Sequence, residues 1–462
     1  MKLKREELTL GQEDIFENDL MHRKDEVKNL SQIIIQVEDP LVLAINAPWG
    51  SGKTTLIKLL QANLEKEHNS AVININAWET DFAEDPLIPI LNSIDMWASR
   101  QSGPVKASAK RLLKSAAPIL KQSFLASLKI ATLGAVTEEG VAEVMADLSE
   151  SYGLKALSYF EQSKDSVSEL KDSIQALQKD VEGNLIIFID ELDRCRPNYA
   201  IELLERVKHL FSIDGVVFVL SIDQAQLAES IKSVYGSNFR SDTYLKRFID
   251  LSYTPKNDIA RDYIRGLLSD EFFEKIQKEG QLSNLSMNTI EPITEPFEQL
   301  FYTLECSLRD VNQIVMEFKL VLMSVPKEEH RLPLITLFLI ILRKMKPELY
   351  NDFLSSNGEE IINKVITDII NQAGISKRIS TVMEALIYRV KYDKHERNPG
   401  AIDKYLRIRN ETFVEDALKR EADLFLQVFW DCDNDTIDGP LQQVLRRRIE
   451  FGSSLVTHNS LH

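Results

Sequence analysis

Five short runs of apolar residues stand apart from the mixed polar pattern of the rest of the chain. They cover residues 41–46, 71–76, 185–190, 216–220 and 248–253. The third and fourth runs are almost continuously apolar, which is typical of central parallel strands that are covered on both faces. Between them, residues 198–211 place apolar side chains at helical spacing with charges in between. A strand, a helix and a second strand in this order predict an α/β fold with a parallel five-stranded sheet.

Two long stretches do not continue this alternation. The stretch between the second and third runs has a helical pattern that a parallel sheet does not require, so we interpret it as an insertion. Beyond residue 256 the pattern is helical nearly to the end. The expected organisation is an α/β core at 1–95 and 181–256, a helical insertion at 96–180, a helical lid at 257–325 and a C-terminal helical domain at 326–462.

Charge and composition limit the partners and the cellular compartment that we expect for this protein. The 462 residues carry 55 basic and 71 acidic side chains, a net charge of −16, which argues against a surface that coats nucleic acid or anionic lipid indiscriminately. Three cysteines without a CxxC pair fit a reducing compartment. The longest strongly apolar run, 332–342, is well short of the roughly 20 residues that a membrane-spanning helix needs, and it predicts a buried helix. We therefore expect a cytoplasmic protein, peripheral to a membrane at most.

The first predicted strand runs directly into a phosphate-binding sequence. Gly50 and Gly52 let the backbone turn around phosphate oxygens, and the helix that follows adds partial positive charge at its N-terminus. Lys53 is expected to neutralise the β- and γ-phosphates, and the Thr54 hydroxyl to bind Mg²⁺. This is a Walker A loop in which Ala47 takes the place of the first glycine. Its candidate nucleotide-binding residues are Pro48, Trp49, Gly50, Ser51, Gly52, Lys53, Thr54 and Thr55.

The third apolar run ends in two carboxylates, Asp190 and Glu191. An apolar strand that delivers acidic residues at its carboxyl end is a Walker B element. Asp190 is expected to hold Mg²⁺, and Glu191 to act as the general base that polarises the attacking water. The chain has no NKxD sequence of the kind that reads guanine, so ATP is favoured over GTP as the nucleotide.

At this point the chain resembles the KAP family of P-loop NTPases. The resemblance rests on PWGSGKT at 48–54, NAW at 76–78, DELDRC at 190–195, YLKRF at 244–248 and DLMHR at 19–23, and it extends with gaps over residues 14 to 320. It implies a P-loop NTPase core of the additional-strand, catalytic-glutamate type. Glu191 stands where the family more often has a second aspartate, and either carboxylate can serve as base.

The resemblance implies roles for further residues. Asn76 is expected either to hold Glu191 in an unproductive position until a partner binds or only to cap the end of its strand. Ser221 is placed as a γ-phosphate sensor. Arg194 is left open between bracing the strand end, pairing with Asp193 and touching the nucleotide. Arg23 is expected to lie beside the nucleotide base, and Arg309 to act as a sensor from the helical lid. Arg247 or Lys246 is expected either to act as a finger on the γ-phosphate of a neighbouring subunit's nucleotide or to form only a solvated salt bridge.

The predicted insertion contains a purely basic stretch. Residues 96–137 carry seven basic side chains and no acidic one, namely Arg100, Lys106, Lys110, Arg111, Lys114, Lys121 and Lys129. Pro118 is expected to kink the helix or to separate two helices. An acidic group follows at Glu138, Glu139, Glu143, Asp147 and Glu150. Either the insertion is a helical hairpin whose basic face pairs with that group, or residues 100–129 form a surface for anionic lipid, nucleic acid or a partner protein.

The expected function is a Mg²⁺-dependent ATPase whose nucleotide state switches conformation or assembly, with ATP and Mg²⁺ as cofactors. A homo-oligomer is expected because related ATPases complete their sites with a neighbour's arginine. The alternative is a scaffold that binds ATP, turns it over slowly or not at all, and docks a partner through the basic insertion. The resemblance also implies a place in defence against phage, with a partner or effector encoded nearby.

Overall fold

The protein is described from a computed structural model. The described residues are 10–11, 14–101, 103–133, 152–256, 261–268, 273, 291–325, 332–356, 358–392, 400–411, 413–431 and 441–457. They divide into two compact units. The sheet unit comprises Leu10–Asp19 and Arg23–Lys256, and the helical unit comprises Leu20–His22 and the described residues after Lys256.

The sheet unit is an α/β structure around five parallel strands. Its strands are β1 (Leu41–Asn46), β2 (Ala71–Asn76), β3 (Leu185–Asp190), β4 (Val216–Ile222) and β5 (Leu251–Tyr253). Its helices are α1 (Lys24–Gln36), α2 (Lys53–His68), α3 (Ala77–Thr80), α4 (Leu87–Ser99), α5 (Pro104–Leu133), α6 (Tyr152–Asp180), α7 (Pro197–Leu210), α8 (Gln224–Tyr235) and α9 (Ser241–Leu245), and one 3₁₀ turn spans Leu192–Arg194.

The strand order is β2-β3-β4-β1-β5, with every pairing parallel. Strand β4 lies between β1, which leads into the glycine loop, and β3, which carries the acidic end. This is the additional-strand arrangement, and the predicted fold class is confirmed. The first three strands match their predicted bounds. Strand β5 begins at Leu251 rather than at Phe248, because the Phe248 amide bonds to the Leu245 carbonyl at 3.0 Å in a turn.

The insertion contributes two long helices to the sheet unit. The Ser108 hydroxyl, in the second turn of α5, donates to Asp180 at the end of α6 at 2.6 Å, so the helices run antiparallel. Leu112 of α5 and Ile174 of α6 are fully buried in the same hydrophobic cluster as the sheet. Helix α5 continues through Pro118, so of the two alternatives the separation into two helices is wrong, and the kink stays a prediction. Pro118 is exposed, and buried residues on either side of it continue the packing of the same helix face.

The helical unit has its own hydrophobic cluster. Its helices are α10 (Arg261–Leu268), α11 (Glu291–Thr303), α12 (Leu308–Met323), α13 (Pro333–Met345), α14 (Pro347–Ser355), α15 (Glu359–Val365), α16 (Lys377–Lys391), α17 (Gly400–Asn410), α18 (Asp416–Asp431) and α19 (Leu441–Thr457), and a π turn spans Ile366–Ile370. Helix α13 is the buried helix expected at 332–342. In the part of the chain that the structure describes, no helix is both long and apolar enough to cross a bilayer.

Candidate functional site

The carboxyl ends of four parallel strands form one edge of the sheet unit. The strand register places Asn76 of β2 opposite Asp190 of β3, and Asp190 opposite Ser221 of β4. Ser221 is in turn opposite Ile45 of β1. Candidate residues from distant parts of the sequence therefore lie in one row, beside the loop that follows β1. In parallel α/β sheets ligands bind outside this edge.

The loop after β1 turns sharply through two glycines. Gly50 and Gly52 have φ angles of 83° and 85°, in the left-handed region that a side chain disfavours. Gly52 caps the N-terminus of α2, and its carbonyl accepts from the Leu56 amide at 3.1 Å. The turn therefore brings the positive end of the α2 dipole to the carboxyl edge of the sheet. Pro48, Trp49 and Thr54 are exposed on this loop and helix start, and Thr55 is half-buried.

Lys53 begins α2 with its ammonium directed back into the loop. The ammonium donates to the carbonyl oxygen of Ala47. Burial lowers the pKa of Lys53, and the carboxylates of Asp193, Asp223 and Asp190 oppose this effect in that order. Arg194 is a second cation near this ammonium, and Glu191 pairs with Arg194. Four carboxylates and two cations leave a local excess of negative charge, which a divalent cation would balance.

Two buried hydroxyls at this edge have no hydrogen-bond partner among the described residues. They are Ser51 Oγ in the loop and Ser221 Oγ in β4, in residues that are 4% and 1% exposed. A buried hydroxyl without a hydrogen-bond partner lowers the stability of the fold by about 1–3 kcal/mol. Both positions therefore suit a ligand that brings a hydrogen-bond partner. Phosphate oxygens accept hydrogen bonds from hydroxyls, and the loop therefore fits the phosphates of a nucleotide.

Thr54 and Asp190 are the residues that would hold Mg²⁺. Asp190 Oδ1 accepts the backbone amide of Glu191 at 2.9 Å. Within the described ranges, no group of three or more His, Cys, Asp or Glu side chains could hold a metal ion. Because Mg²⁺ is bound through one or two carboxylates together with waters and substrate phosphates, this pair suits an ion that arrives with a nucleotide.

Glu191 is fixed by its backbone and by two side chains. Its φ of 61° lies in the left-handed region, which is uncommon for a residue with a side chain. Arg194 Nη1 lies 2.8 Å from Glu191 Oε1, and Asn76 Nδ2 donates to Oε2 at 3.4 Å. The side-chain oxygen Oδ1 of Asn76 also accepts hydrogen bonds from the backbone amides of Trp78 and Glu79 at 3.1 and 3.3 Å. Asn76 therefore caps the helix that begins at the end of its strand and also contacts Glu191, and the role of holding Glu191 unproductive until a partner binds stays a prediction.

Two further contacts at the end of β3 were not predicted from the sequence. The indole N–H of Trp49 donates to Asp193, which joins the glycine loop to the turn after β3. The guanidinium of Arg194 lies over the ring of Trp78, 5.6 Å from its centroid. Arg194 pairs with Glu191 and not with Asp193, the partner considered from the sequence, and the i, i+3 spacing of Glu191 and Arg194 could have indicated this pair. No pattern along the chain indicates the contact of Trp49 with Asp193, which are 144 residues apart.

Arg23 is buried at the start of α1, with 4% of its surface exposed. Its Nη1 lies 2.6 Å from Glu26 Oε2, and the Tyr253 hydroxyl donates to Glu26 Oε1 at 2.5 Å. Tyr253 is opposite Ile45 in the sheet, so these side chains lie toward the same carboxyl edge. The guanidinium is paired within the protein, and its role beside the nucleotide base stays a prediction.

The three remaining basic candidates are exposed. Lys246 and Arg247 follow α9 in the sheet unit. Arg309 lies in the first turn of α12 in the helical unit, next to a capping box of Ser307 and Asp310. None of the three has an ion-pair partner among the residues that the structure describes, so the salt bridge considered for Lys246 and Arg247 is not seen there. Their roles as finger and sensor stay predictions.

The strand, glycine loop, helix and acidic strand end together define a P-loop NTPase domain. The KAP family P-loop domain matches residues 23–325 of the chain. The chain belongs to this family, as the sequence predicted, and nucleotide binding follows from that membership.

Similar solved structures are distant. The Aeropyrum Pernix ORC2 protein in its ADP form is 11% identical, covers 99% of this chain and 97% of its own, and has a TM-score of 0.33. Its ADPNP-ADP complexes are also 11% identical, cover 94% and 95%, and have a TM-score of 0.33. The Aeropyrum Pernix ORC1 protein in complex with DNA is 12% identical, covers 95% and 94%, and has a TM-score of 0.32. Similarity this low carries no argument about function. No match was found among curated proteins.

Proposed function

We propose that the protein is a Mg²⁺-dependent ATPase whose nucleotide state switches its conformation or assembly. The observation that carries the proposal is the row of Asp190, Glu191 and Ser221 beside the glycine loop, with the Lys53 ammonium among carboxylates. Lys53 and the helix start bind the phosphates. Thr54 and Asp190 would hold Mg²⁺, which when bound would neutralise charge that develops on the transferring phosphoryl group. Glu191 accepts the proton of the attacking water.

Replacement of Glu191 tests the assignment of the base. Glu191→Gln keeps the size of the side chain but removes its proton acceptor, so we expect kcat for ATP hydrolysis to fall about 10²–10⁴-fold while ATP still binds. Steady-state phosphate release and titration with a fluorescent ATP analogue measure the two quantities. Glu67→Gln, at an exposed position of α2, is the matched control and retains the wild-type rate. Undiminished hydrolysis by Glu191→Gln would remove Glu191 as the base.

A second candidate function is a scaffold that binds ATP and docks an anionic partner through α5. Arg100, Lys106, Lys110, Arg111 and Lys114 are exposed and have no ion pair among the described residues. Lys106, Lys110 and Lys114 follow one another at i, i+4, which places them on one face of the helix. The acidic group at 138–150 and the side chains of Lys121 and Lys129 lie outside the described residues, so pairing between them stays a prediction.

Salt-dependent binding discriminates the possible partners of this basic face. Lys110→Gln/Lys114→Gln is expected to weaken binding to a polyanion and to reduce the slope of log affinity against log salt by about one to two. Lys28→Gln/Lys364→Gln, at exposed positions elsewhere, is the control. Duplex DNA, single-stranded RNA and vesicles with anionic lipid are compared side by side. Equal affinities of the two double variants for every probe would reject the docking role.

The resemblance also suggests work in defence against phage, together with a partner or effector encoded nearby. Cells that carry the gene are expected to survive phage challenge better than cells that carry the Lys53→Ala form. Equal survival would count against this role. A nuclease or other toxic enzyme among the neighbouring genes would support it.

A further inference from the structure

Both carboxylate oxygens of Glu191 are occupied by donors from the protein itself. Oε1 lies 2.8 Å from a guanidinium nitrogen of Arg194, and Oε2 accepts from the Asn76 amide at 3.4 Å. The two donors are unequal, because the Asn76 amide also donates to Glu79 at 3.0 Å and its bond to Glu191 is long for a hydrogen bond. Arg194 is therefore the principal partner of the carboxylate.

The ion pair is partly withdrawn from solvent. The Arg194 and Glu191 side chains are 31% and 20% exposed, so water screens them less than it screens a fully exposed pair. A carboxylate whose two oxygens are both held by donors of the protein cannot turn toward a water molecule until those contacts open. Arg194 stays charged at any ordinary pH, so the carboxylate is freed only when the two side chains move apart.

Arg194 is kept in place from its other side by an aromatic ring. Its guanidinium lies 5.6 Å from the centroid of Trp78, a cation–π geometry. Trp78 belongs to α3, the short helix that Asn76 caps. Helix α3 and its N-cap therefore supply two of the contacts around Glu191. The ring of Trp78 in α3 contacts Arg194, and the amide of the N-cap residue Asn76 contacts Glu191.

We propose that Arg194 is a positioning residue that holds the Glu191 carboxylate away from the attacking water. The ring of Trp78 keeps the Arg194 guanidinium in the position that allows this. The proposal rests on the proposed ATPase function. Removal of either side chain frees the base, so hydrolysis becomes faster. No contact of Arg194 with the nucleotide is needed for this effect, which sets it apart from a phosphate-binding arginine, whose loss would slow turnover.

Steady-state ATP hydrolysis by Arg194→Gln and Trp78→Ala tests the proposal. We expect kcat to rise about threefold or more in each, as the loss of a half-exposed ion pair permits, while KM for ATP stays unchanged. Arg194→Lys and Trp78→Phe retain a charge and a ring, and are expected to return kcat toward the wild-type value. Lys232→Gln removes another i, i+3 ion pair of the sheet unit, that with Glu229, and is expected to leave kcat unchanged.

Two further measurements separate the possible failures. Arg194→Gln/Glu191→Gln is expected to be as slow as Glu191→Gln, because the gain acts through Glu191. Thermal midpoints and ATP-analogue affinity check that each variant folds. Hydrolysis that is lost in Glu191→Gln but unchanged or slower in folded Arg194→Gln would overturn the positioning role and leave the ATPase function standing. Absence of hydrolysis in both the wild-type protein and folded Arg194→Gln would instead overturn the ATPase function.

Discussion

At the scale of single residues, the site is defined by charges that are held close together. Lys53 is half-buried among the carboxylates of Asp190, Asp193 and Asp223, and burial lowers its pKa. The buried hydroxyls of Ser51 and Ser221 lack partners among the described residues. These groups suit a ligand that brings both phosphate oxygens and a cation, which describes a nucleotide with Mg²⁺.

Loss of Lys53 is expected to abolish nucleotide binding in practice. Lys53→Ala removes one member of a partly buried charge pair with the phosphates, at a cost of about 2–5 kcal/mol, which is a loss in affinity of about thirtyfold or more. Titration with a fluorescent ATP analogue measures it. Lys28→Ala, at an exposed position on α1, is the control. Unchanged affinity in Lys53→Ala would mean that the loop does not bind phosphate.

At the scale of elements, most helices are set in place by apolar packing, but α12 and α13 are also joined by a buried ion pair. Arg343 Nη2 lies 2.7 Å from both carboxylate oxygens of Glu317, and its Nη1 donates to Ser453 at 2.6 Å. Burial raises the pKa of Glu317, and Arg343 opposes that effect. The pair therefore links three helices, since Ser453 lies in α19.

Removal of Arg343 should destabilise the helical unit in a pH-dependent manner. Arg343→Met leaves a buried carboxylate without a partner, which costs about 3–5 kcal/mol. With only the weaker effect of Lys344 left to oppose burial, the pKa of Glu317 in the folded state rises further above its ordinary value. The folded state then binds the proton more tightly than the unfolded state, so stability falls as pH rises through this range. We expect a larger loss at pH 8 than at pH 5.

Urea unfolding at the two pH values measures the free energy of unfolding of the helical unit in the wild type and in Arg343→Met. Arg343→Met/Glu317→Leu removes both charges and is expected to recover much of the loss. Arg378→Met, at an exposed position of α16, is the control. A loss that is equal at both pH values, or larger at pH 5, would contradict the assignment to Glu317.

At the scale of the whole molecule, the chain forms two units that each enclose a hydrophobic cluster. The net charge of −16 is unevenly distributed, because the described part of α5 carries exposed basic residues and no acidic ones. Arg247 is another exposed cation of the sheet unit. Arg247 has no ion-pair partner among the described residues and is open to an anionic partner, and we propose that this partner is a second copy of the chain with bound ATP.

Assembly is expected to depend on nucleotide and on Arg247. Light scattering should give a larger mass with a non-hydrolysable ATP analogue than without it, because the finger would bind the neighbour's γ-phosphate. Arg247→Ala is expected to reduce kcat and the assembled fraction, and Arg240→Ala, also exposed, to change neither. A monomer under both conditions would leave Arg247 without this role.

Short patterns in the sequence predicted much of the fold and the main residues of the candidate nucleotide site. The bounds of β1, β2 and β3 followed from apolar runs, and the buried helix α13 from a run that was too short to span a membrane. The glycine spacing before Lys53 indicated the phosphate-binding loop. The two acidic residues at the end of β3 indicated the carboxylates that would lie beside that loop. These features are short in sequence, so a local pattern contains them. The start of β5 was misplaced because Phe248 is buried in a turn, and burial alone does not distinguish a turn from a strand.

The sequence by itself determined which residue types stand at the ends of the strands, and so the class of chemistry. Only the tertiary structure decided which of them meet. The register brings Asn76, Asp190 and Ser221 into one row, and the contact of Arg194 with the ring of Trp78 follows from the position of α3 beside the end of β3. Such contacts depend on packing between elements that are far apart in the chain, and no spacing along the chain records packing of that kind.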